Sequence, residues 1–429
     1  MKKALSCILL LMLTIGMIGS AAATYEPKEG VSGHIVFKYW GTEQQAVMEQ
    51  IAKDFMAVNG NITVEVVNEP GDQFWTKLIA SIAAGVPTAD VAWMNPTYAK
   101  QMIGTGQLTD ISDLYESGRI DKANFTEAAI GSYTGRDGGI YAVPKDFQTV
   151  CLIYNKAIFD EVGIPYPTDD WTWDDLLKAS EAIVKKDASG QTVRYGYAHN
   201  ASVMSSWFVY CYANGGELFN PDAHDGNFVN IPENVEAFQW AQDLIFKHGV
   251  APDATVVAES NQDVLFINEM LAMTTYVPAQ LEGYTAVLGD KVGVAQFPYN
   301  TNKATITNCL GYCIPTGTSN LEAAKEFIVY LASREGQEPQ ASMIIPAYKG
   351  IVSKMEEKFA SMNFKAYLES GAFAVPTPVE QYSGNAARKA LETQINYIMF
   401  GEKDAAQALA DAEAEIRKLS ETAKAEQGQ

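Results

Sequence analysis

The hydrophobic positions near the start of the chain switch repeatedly between two periods. Strand-like runs begin at His34 (HIVFKYW), Ile62 (ITVEVV) and Ala89 (ADVAWM). Between these runs, apolar residues recur every three or four positions, as in an amphipathic helix. These helical positions are Val47, Ile51, Phe55 and Val58 in the first interval, and Phe74, Leu78 and Ile82 in the second. The resulting βαβαβ order predicts a parallel sheet covered by helices, which is an α/β fold.

The rest of the chain continues this alternation. We expect Thr172 to cap one helix, Asn320 to open another, and Asp404 with Gln407 to begin the last. No repeat at solenoid spacing and no long low-complexity linker interrupts the pattern. A chain of 429 residues is too long for one ordinary core. We therefore expect two lobes that are joined by short ordered segments.

The first residues have the composition of a secretory leader. Lys2 and Lys3 precede the apolar stretch Ile8–Ile18, and the small residues Ala21–Ala23 follow it. The apolar stretch is shorter than the ~20 residues of a membrane span. We predict a signal peptide over residues 1–23 and export to the periplasm, or to an extracellular, surface-associated location. Retention of this segment as a membrane anchor is the alternative.

Charge narrows the classes of partner. The net charge is −21, or −23 once Lys2 and Lys3 are removed with the leader, and no long basic tract is present. This composition argues against nucleic acid as a partner. The acidity itself implies no ligand.

After leader cleavage the chain keeps Cys151, Cys211, Cys309 and Cys313. We expect buried free thiols. An extended segment would separate Cys309 from Cys313 by ~13 Å, which exceeds the ~7 Å limit for a disulfide, although a turn at Gly311 would allow the bond. The Cys and His residues lack the spacing of a zinc site, so neither a metal nor another cofactor is expected.

Aromatic and amide side chains cluster where predicted strands end, which is where parallel sheets bind ligands. A sugar ring packs its apolar CH face on an aromatic ring, and its hydroxyl groups bind planar polar partners. The pattern therefore favours a neutral, hydroxylated ligand. A single Trp or Tyr is more often a core residue, so only their repeated placement carries weight. The residues so placed are Trp40, Glu43, Gln44, Trp93, Asn95, Asp146, Gln148, Trp207, Tyr210 and Tyr276.

Several blocks of sequence, taken in order, resemble one protein family. The most distinctive is GGIYAVPKDFQTVCLIYNKAIFDEVGIPYP followed by WTWDDLLKAS. FINEMLAM, GYCIPTGTSNLEAAKEFIVYLAS and GEKDAAQALADAEAEI follow at the expected spacing. The chain resembles the extracellular solute-binding proteins of ABC importers, family 1, the maltose-binding type, over essentially its whole mature length.

The resemblance implies a two-lobed, periplasmic-binding-protein-like type II fold in which each lobe is a mostly parallel sheet flanked by helices. Three crossings would join the lobes, within DFQTV, near Thr274–Pro278 and near Gly317–Asn320. The N-terminal lobe would contain residues 24–146 and 279–318, and the C-terminal lobe residues 147–278 and 319–429.

By the same resemblance, the ligand lies between the lobes. Asp146 to Gln148 would form the floor of the cleft, and Gln148 occupies a position where a relative uses a carboxylate to hold sugar hydroxyls. Trp40, Glu43, Gln44, Trp93 and Asn95 would face the ligand from the first lobe. Ser206, Trp207, Tyr210, Tyr276 and Tyr382 would face it from the second.

The function implied is that of a monomeric binding protein that delivers a small carbohydrate, expected to be an oligosaccharide, to the membrane permease subunits of an ABC importer. A binding protein for a polyamine, an iron chelate or a glycerol phosphodiester is an alternative. A secreted carbohydrate-active enzyme is a further alternative, with Glu43, Asp146, Asp174 and Asp175 as available carboxylates. No G-x-S-x-G, H-E-x-x-H or P-loop motif supports an enzyme.

Overall fold

The computed structural model describes residues 25–200 and 202–426. The predicted signal peptide, residues 1–23, lies outside this part of the chain. The strands are β1 (Gly33–Tyr39), β2 (Ile62–Asn68), β3 (Val91–Met94), β4 (Ala142–Pro144), β5 (Cys151–Asn155), β6 (Lys185–Lys186), β7 (Thr192–Tyr197), β8 (Leu271–Tyr276), β9 (Val292–Ala295), β10 (Thr305–Thr307), β11 (Gly311–Cys313) and β12 (Ala374–Pro376).

Helices follow most of these strands. They are α1 (Gln45–Val58), α2 (Gly71–Ala83), α3 (Pro96–Gly104), α4 (Ser112–Glu116), α5 (Glu127–Gly131), α6 (Lys156–Val162), α7 (Trp173–Ile183), α8 (Trp207–Ala213), α9 (Pro232–Phe246), α10 (Ala254–Glu259), α11 (Gln262–Ile267), α12 (Leu281–Leu288), α13 (Leu321–Ala332), α14 (Arg334–Gln337), α15 (Lys354–Lys358), α16 (Lys365–Glu369), α17 (Asn385–Met399) and α18 (Ala405–Glu426).

The predicted βαβαβ order is confirmed in the first sheet. Its strand order is β2-β1-β3-β11-β4. Strand β1 pairs in parallel with both β2 and β3, so that Tyr39 lies opposite Asn68. Strand β11 runs antiparallel to both of its neighbours, and Tyr312 lies opposite Trp93 and Val143. This sheet and its helices form the first lobe.

The second sheet has the order β6-β7-β8-β5-β9 and forms the second lobe with its own helices. Strands β7 and β8 are parallel, whereas β5 is antiparallel to β8 and β9, and β6 is antiparallel to β7. Both sheets are thus mixed rather than mostly parallel. The chain reaches β5 from the first lobe and β11 from the second. Each of these strands therefore starts at the edge of its sheet that faces the other lobe, where most of the other strands end. They therefore run in the opposite direction to those neighbours.

The segments that connect the lobes lie side by side. The first passes from β4 to β5 through Asp146–Gln148. The return passes through β10, which pairs in parallel with β12. Isolated bridges join Thr149 to Thr307 and Asp146 to Pro346. These contacts tie the connecting segments into one narrow bundle between the sheets.

Two predicted crossings lie elsewhere in the structure. The chain does not leave the second lobe near Thr274–Pro278, because β9 still pairs with β5. It does not leave the first lobe near Gly317–Asn320, because α13 packs on the first-lobe core, with the Phe327 and Phe37 ring centroids 5.4 Å apart. Residues 279–295 accordingly belong with the second lobe and α13 with the first. After β12, α17 and α18 pack in the second-lobe core.

Cys151, Cys211, Cys309 and Cys313 are free and buried, which confirms the expectation of unpaired thiols. Within residues 25–200 and 202–426, no helix has both the length and the apolar character needed to cross a bilayer. The same residues contain no cluster of His, Cys, Asp and Glu side chains suited to holding a metal ion.

Candidate functional site

Because β4 of the first sheet connects to β5 of the second, one edge of each sheet faces the other. Strand β4 ends at Pro144 and β5 begins at Cys151, so the carboxyl ends of the first-lobe parallel strands face the start of β5. Tyr276, the last residue of β8, pairs with Cys151 and therefore lies at this edge of the second sheet. The opposed edges are where ligands bind in α/β folds of this kind.

A wall of three half-buried rings covers the first-lobe edge. The Trp40 ring, just after β1, lies 4.9 Å from the Trp75 ring between centroids. Trp75 in turn stacks on Tyr98 at 4.1 Å with an interplanar angle of 15°. We call Trp40, Trp75 and Tyr98 the aromatic wall. Buried Phe74 supports it, with its ring centroid 4.9 Å from that of Trp40.

Sequence reasoning identified Trp40 but missed Trp75 and Tyr98. Both belong to helices that start at the carboxyl edge of the first sheet, α2 and α3. Trp75 follows directly after Phe74, which begins the buried stripe of α2, so its side chain points about 100° away from that stripe. A large ring outside the buried stripe of a helix at this edge is the signal that would have found it.

Polar groups stand beside the aromatic wall. Glu43 is exposed in the turn Thr42–Gln44, and Gln44 is half-buried. Gly41 has a φ of 110°, and a Cβ there would lie 3.0 Å from the Glu43 carboxylate and 3.3 Å from the Trp93 ring. A side chain at position 41 would therefore crowd both groups. Asn95 Oδ1 accepts a 2.9 Å bond from Tyr98 N and caps α3.

Trp93 and Asp146 lie beneath this surface and not on it. Trp93 is 1% exposed and Asp146 is 1% exposed. The Nζ atom of Lys145 lies 4.3 Å from the Trp93 ring centroid and 3.3 Å from Asp146 Oδ2. Asp146 Oδ1 accepts a 2.7 Å bond from Leu310 N. Burial lowers the pKa of Lys145, and the Asp146 carboxylate opposes that shift. These groups hold the floor together, and the prediction that Trp93 and Asp146 face a ligand is corrected by their burial.

Gln148 and Tyr276 remain at the opening between the lobes. Gln148 is half-buried, while its neighbours Phe147 and Thr149 are buried. The Gln148 carbonyl accepts a 2.9 Å bond from Asn308 N, which fixes the backbone of the connecting segment. The Gln148 side chain is therefore the polar group of this segment that keeps contact with solvent. Tyr276 is likewise half-buried at the end of β8.

The structure places the other second-lobe candidates in the core. Trp207 is 0% exposed and Tyr210 is 1% exposed. The Trp207 ring packs on Phe238 at 5.1 Å, and the Tyr210 hydroxyl bonds to the Tyr197 hydroxyl at 2.6 Å. Ser206 is buried and its hydroxyl donates to Asn200 O at 3.1 Å. Helix α8 packs on the second-lobe core, so the prediction for these three residues is corrected.

Tyr382 lies between the lobes, but at a distinct place. It lines a cavity of about 560 Å³ together with residues of both lobes, among them Lys100 and Asp222. Its ring has two cations near it, Arg136 at 5.8 Å and Lys424 at 4.7 Å from the centroid. These cations occupy surface that a stacked sugar would need.

Comparison with known proteins identifies the family. Residues 50–362 match the family of bacterial extracellular solute-binding proteins. The arabinooligosaccharide-binding protein of Halalkalibacterium halodurans is 28% identical over 186 residues, which are 42% of this chain and only 38% of that protein. The galactooligosaccharide-binding protein of Bacillus subtilis is 24% identical over 384 residues, which cover 84% of this chain and 76% of that protein.

Solved structures of binding proteins share the fold of this chain. An ABC substrate-binding protein from Listeria monocytogenes in complex with cycloalternan is 25% identical, with a TM-score of 0.75 over 90% of this chain and 98% of that one. Maltose-bound MalE3 of T. maritima, at 21% identity, shares the fold with a TM-score of 0.69 over 90% of this chain and 99% of that one. The resemblance found in the sequence is confirmed: this chain belongs to the bacterial extracellular solute-binding protein family.

Proposed function

We propose that this protein is the substrate-binding component of an ABC importer. It is exported, captures a neutral saccharide between its two lobes and delivers it to a membrane permease. The oligosaccharide-binding relatives and the cycloalternan complex support a sugar of more than one ring. As a monomer with a single cleft, the protein would carry one ligand molecule at a time.

The aromatic wall is the observation that carries this proposal. Trp40, Trp75 and Tyr98 present half-buried rings at the sheet edge where ligands bind, and a sugar can pack its CH face on them. Glu43, Gln44 and Gln148 supply hydrogen-bonding groups for sugar hydroxyls around the rings. Tyr276 offers a ring with a hydroxyl from the second lobe.

The charges of the floor favour a neutral ligand. The Lys145 ammonium and the Asp146 carboxylate face each other at 3.3 Å in a buried pair, so neither offers an uncompensated charge. Of the candidate residues that are at least partly exposed to solvent, Glu43 carries a charge and the others are uncharged. An anionic solute would require an available Arg or Lys, and a polyamine would require several carboxylates.

The same geometry argues for binding without turnover. A glycosidase needs two carboxyl groups about 5–10 Å apart across the sugar. Asp146 is buried in its ion pair, and Asp175 forms a capping box with Thr172 at the start of α7. Asp174 lies in the same helical turn. Glu43 is thus left without a partner among the carboxylates considered.

Ligand capture then works by closure. A sugar that contacts both lobes stabilises the closed arrangement through contacts that the open one lacks. Moving an even mixture to 99% closed requires about 2.7 kcal/mol of differential binding. A few hydrogen bonds and one stacked ring supply an energy of that size.

A thermal-shift screen of the chain beginning at Thr24 tests the proposal. The panel contains mono- and oligosaccharides, spermidine and glycerophosphocholine, and each hit is followed by calorimetry and chromatography of the ligand. We expect a saccharide to raise the melting temperature, to bind with one-to-one stoichiometry and to be recovered intact. Binding confined to spermidine or glycerophosphocholine would overturn the sugar assignment, and cleavage of the saccharide would overturn the transport role.

A further inference from the structure

The lobes also touch away from the aromatic wall, along the cavity that Tyr382 lines. The first-lobe side is lined by Lys100, Ile103, Gly104 and residues 134–137. The second-lobe side is lined by Phe219, Asn220, Asp222, Val379, Gln381 and Tyr382. Helix α3 connects the two places, because Tyr98 near its start belongs to the aromatic wall and Gly104 at its end borders this cavity. One short helix thus borders both the aromatic wall and this cavity.

Arg136 joins the lobes at this cavity. It lies in the first lobe, within the turn between the bridged residues Thr134 and Ile140. Its Nη2 is 3.3 Å from Asp222 Oδ2, and its guanidinium carbon is 5.8 Å from the centroid of the Tyr382 ring. Both partners belong to the second lobe, since Asp222 lies between α8 and α9, and Tyr382 lies just before α17. One side chain thus makes an ion pair and a cation–π contact across the gap.

The second-lobe loop that carries Tyr382 is held in place by the Glu380 carboxylate. This carboxylate is 2% exposed. It accepts bonds from Tyr382 N at 3.0 Å and Ser383 Oγ at 2.6 Å, and its other oxygen accepts from Ser420 Oγ of α18 at 3.1 Å. Tyr382 is consequently presented to Arg136 on a loop that is fixed to the second-lobe core.

The backbones of the two lobes also approach closely beside this contact. A Cβ on Gly104 would lie 3.4 Å from the Gln381 carbonyl, and a Cβ on Gly384 would lie 3.4 Å from Gln101 Oε1. Gly384 has a φ of 44°, a conformation that favours glycine. The two glycines thus let α3 and the Glu380 loop approach each other closely.

We propose that Arg136, Asp222 and Tyr382 form an interlobe clasp that favours the closed arrangement before any ligand binds. The clasp lies outside the connecting segments, so lobe rotation about them alters the Arg136–Asp222 distance. The fraction of protein already in the binding-competent state scales the apparent affinity. The clasp therefore sets the sugar affinity without touching the sugar, and in this respect it rests on the proposed function.

The strength of the clasp is limited by its exposure. The Arg136 and Asp222 side chains are 54% and 78% exposed. Pairs of this kind change an equilibrium by up to about five-fold. The clasp can thus bias closure and still release the lobes for ligand exchange.

Single-molecule fluorescence transfer on the ligand-free protein tests this inference. Because the described native cysteines are buried, dyes can be attached to the chain beginning at Thr24 through Glu116→Cys in the first lobe and Glu415→Cys in the second. We expect Arg136→Ala or Asp222→Ala to lower the closed-to-open ratio by about two- to five-fold. The swapped pair Arg136→Asp with Asp222→Arg should restore much of that ratio.

Lys28→Ala is the matched control, because Lys28 forms an ion pair of similar exposure with Glu322 within the first lobe. It should leave the closed-to-open ratio unchanged. Equal ratios in all variants, or a swapped pair whose ratio is no higher than that of either alanine variant, would overturn the clasp. Because the closed-to-open ratio is measured without sugar, a negative result for the clasp is distinct from a failure of any saccharide to bind. Where a saccharide does bind, its Kd should rise by the same factor as the closed fraction falls.

Discussion

Trp75 and Tyr98 stack face to face, with ring centroids 4.1 Å apart and planes inclined by 15°. The two residues come from different helices, α2 and α3, and Trp40 lies against the same pair with its ring 4.9 Å from Trp75. Each ring therefore limits the movement of the next. A wall fixed in this way can receive a flat sugar face without first losing side-chain entropy.

We expect Trp75→Ala to weaken saccharide binding by about 1–3 kcal/mol, because it removes a stacking surface and frees Tyr98. Calorimetry with the saccharide found by thermal-shift screening measures the change. Trp240→Ala is the matched control. Trp240 is also half-buried and stacks on Trp173 at 4.1 Å and 15°, but this pair lies between α7 and α9 of the second lobe. Equal losses of affinity in the two variants would remove Trp75 from the site.

Trp207→Ala is expected to act on stability. Trp207 is fully buried among His199, Tyr210 and Phe238, and its loss would open a cavity in the second-lobe core. We expect the free energy of unfolding to fall by about 3–5 kcal/mol in urea denaturation. A variant with unchanged stability but reduced sugar affinity would return Trp207 to the list of ligand contacts.

Lys145→Met is expected to destabilise the protein by about 3–5 kcal/mol, because it leaves the buried Asp146 carboxylate without its cation. The free energy of unfolding in urea measures this loss. Lys28→Met tests the same chemistry at an exposed pair and should change the free energy of unfolding far less, because water already screens this pair. Similar free energies of unfolding for the two variants would show that the Lys145–Asp146 pair does not stabilise the segment that forms the floor of the cleft.

His199 makes stability depend on pH. Its Nδ1 lies 2.8 Å from the Tyr210 hydroxyl and its Nε2 lies 3.0 Å from Ala241 O. Burial lowers the pKa of His199 to about 4, so the folded state favours the neutral ring. The unfolded chain binds a proton near pH 6.5, and this contribution to stability is therefore complete above that pH. It is lost as the pH falls from 6.5 towards 4, and the loss approaches about 3 kcal/mol.

Unfolding free energies of the wild type and His199→Gln, measured from pH 7.5 to pH 4, isolate this contribution. Other groups titrate in both proteins, so the difference between the two curves is the relevant quantity. The wild type should lose more stability on acidification than the variant does. Parallel curves would contradict the assignment.

Local elements were accessible from the sequence because they depend on neighbouring residues. The capping box that Thr172 forms with Asp175 and the helix start at Asp404 are examples, and both are present. The choice of sheet for each element was less accessible. The apolar pattern of β9 predicts a strand but does not indicate which sheet that strand joins. Its pairing with β5 assigns it to the second lobe.

One position of the candidate site, that of Trp40, can be predicted because this residue follows a strand directly. Trp207, also predicted at a strand end, belongs to a helix with the continuous apolar run WFVYC, and an α-helix that is apolar on all sides is buried. That signal was available and points to the core. Contacts between distant segments, such as Trp75 on Tyr98 or Arg136 on Asp222, depend on the tertiary fold and leave no local pattern.

Small-angle scattering of the chain beginning at Thr24, with and without a saturating saccharide, tests closure around a sugar most directly. We expect the radius of gyration to fall when the saccharide binds. Trp75→Ala should need a higher sugar concentration to reach the same value. An unchanged scattering curve at a concentration where calorimetry shows the site to be full would contradict the closing of two lobes on a sugar.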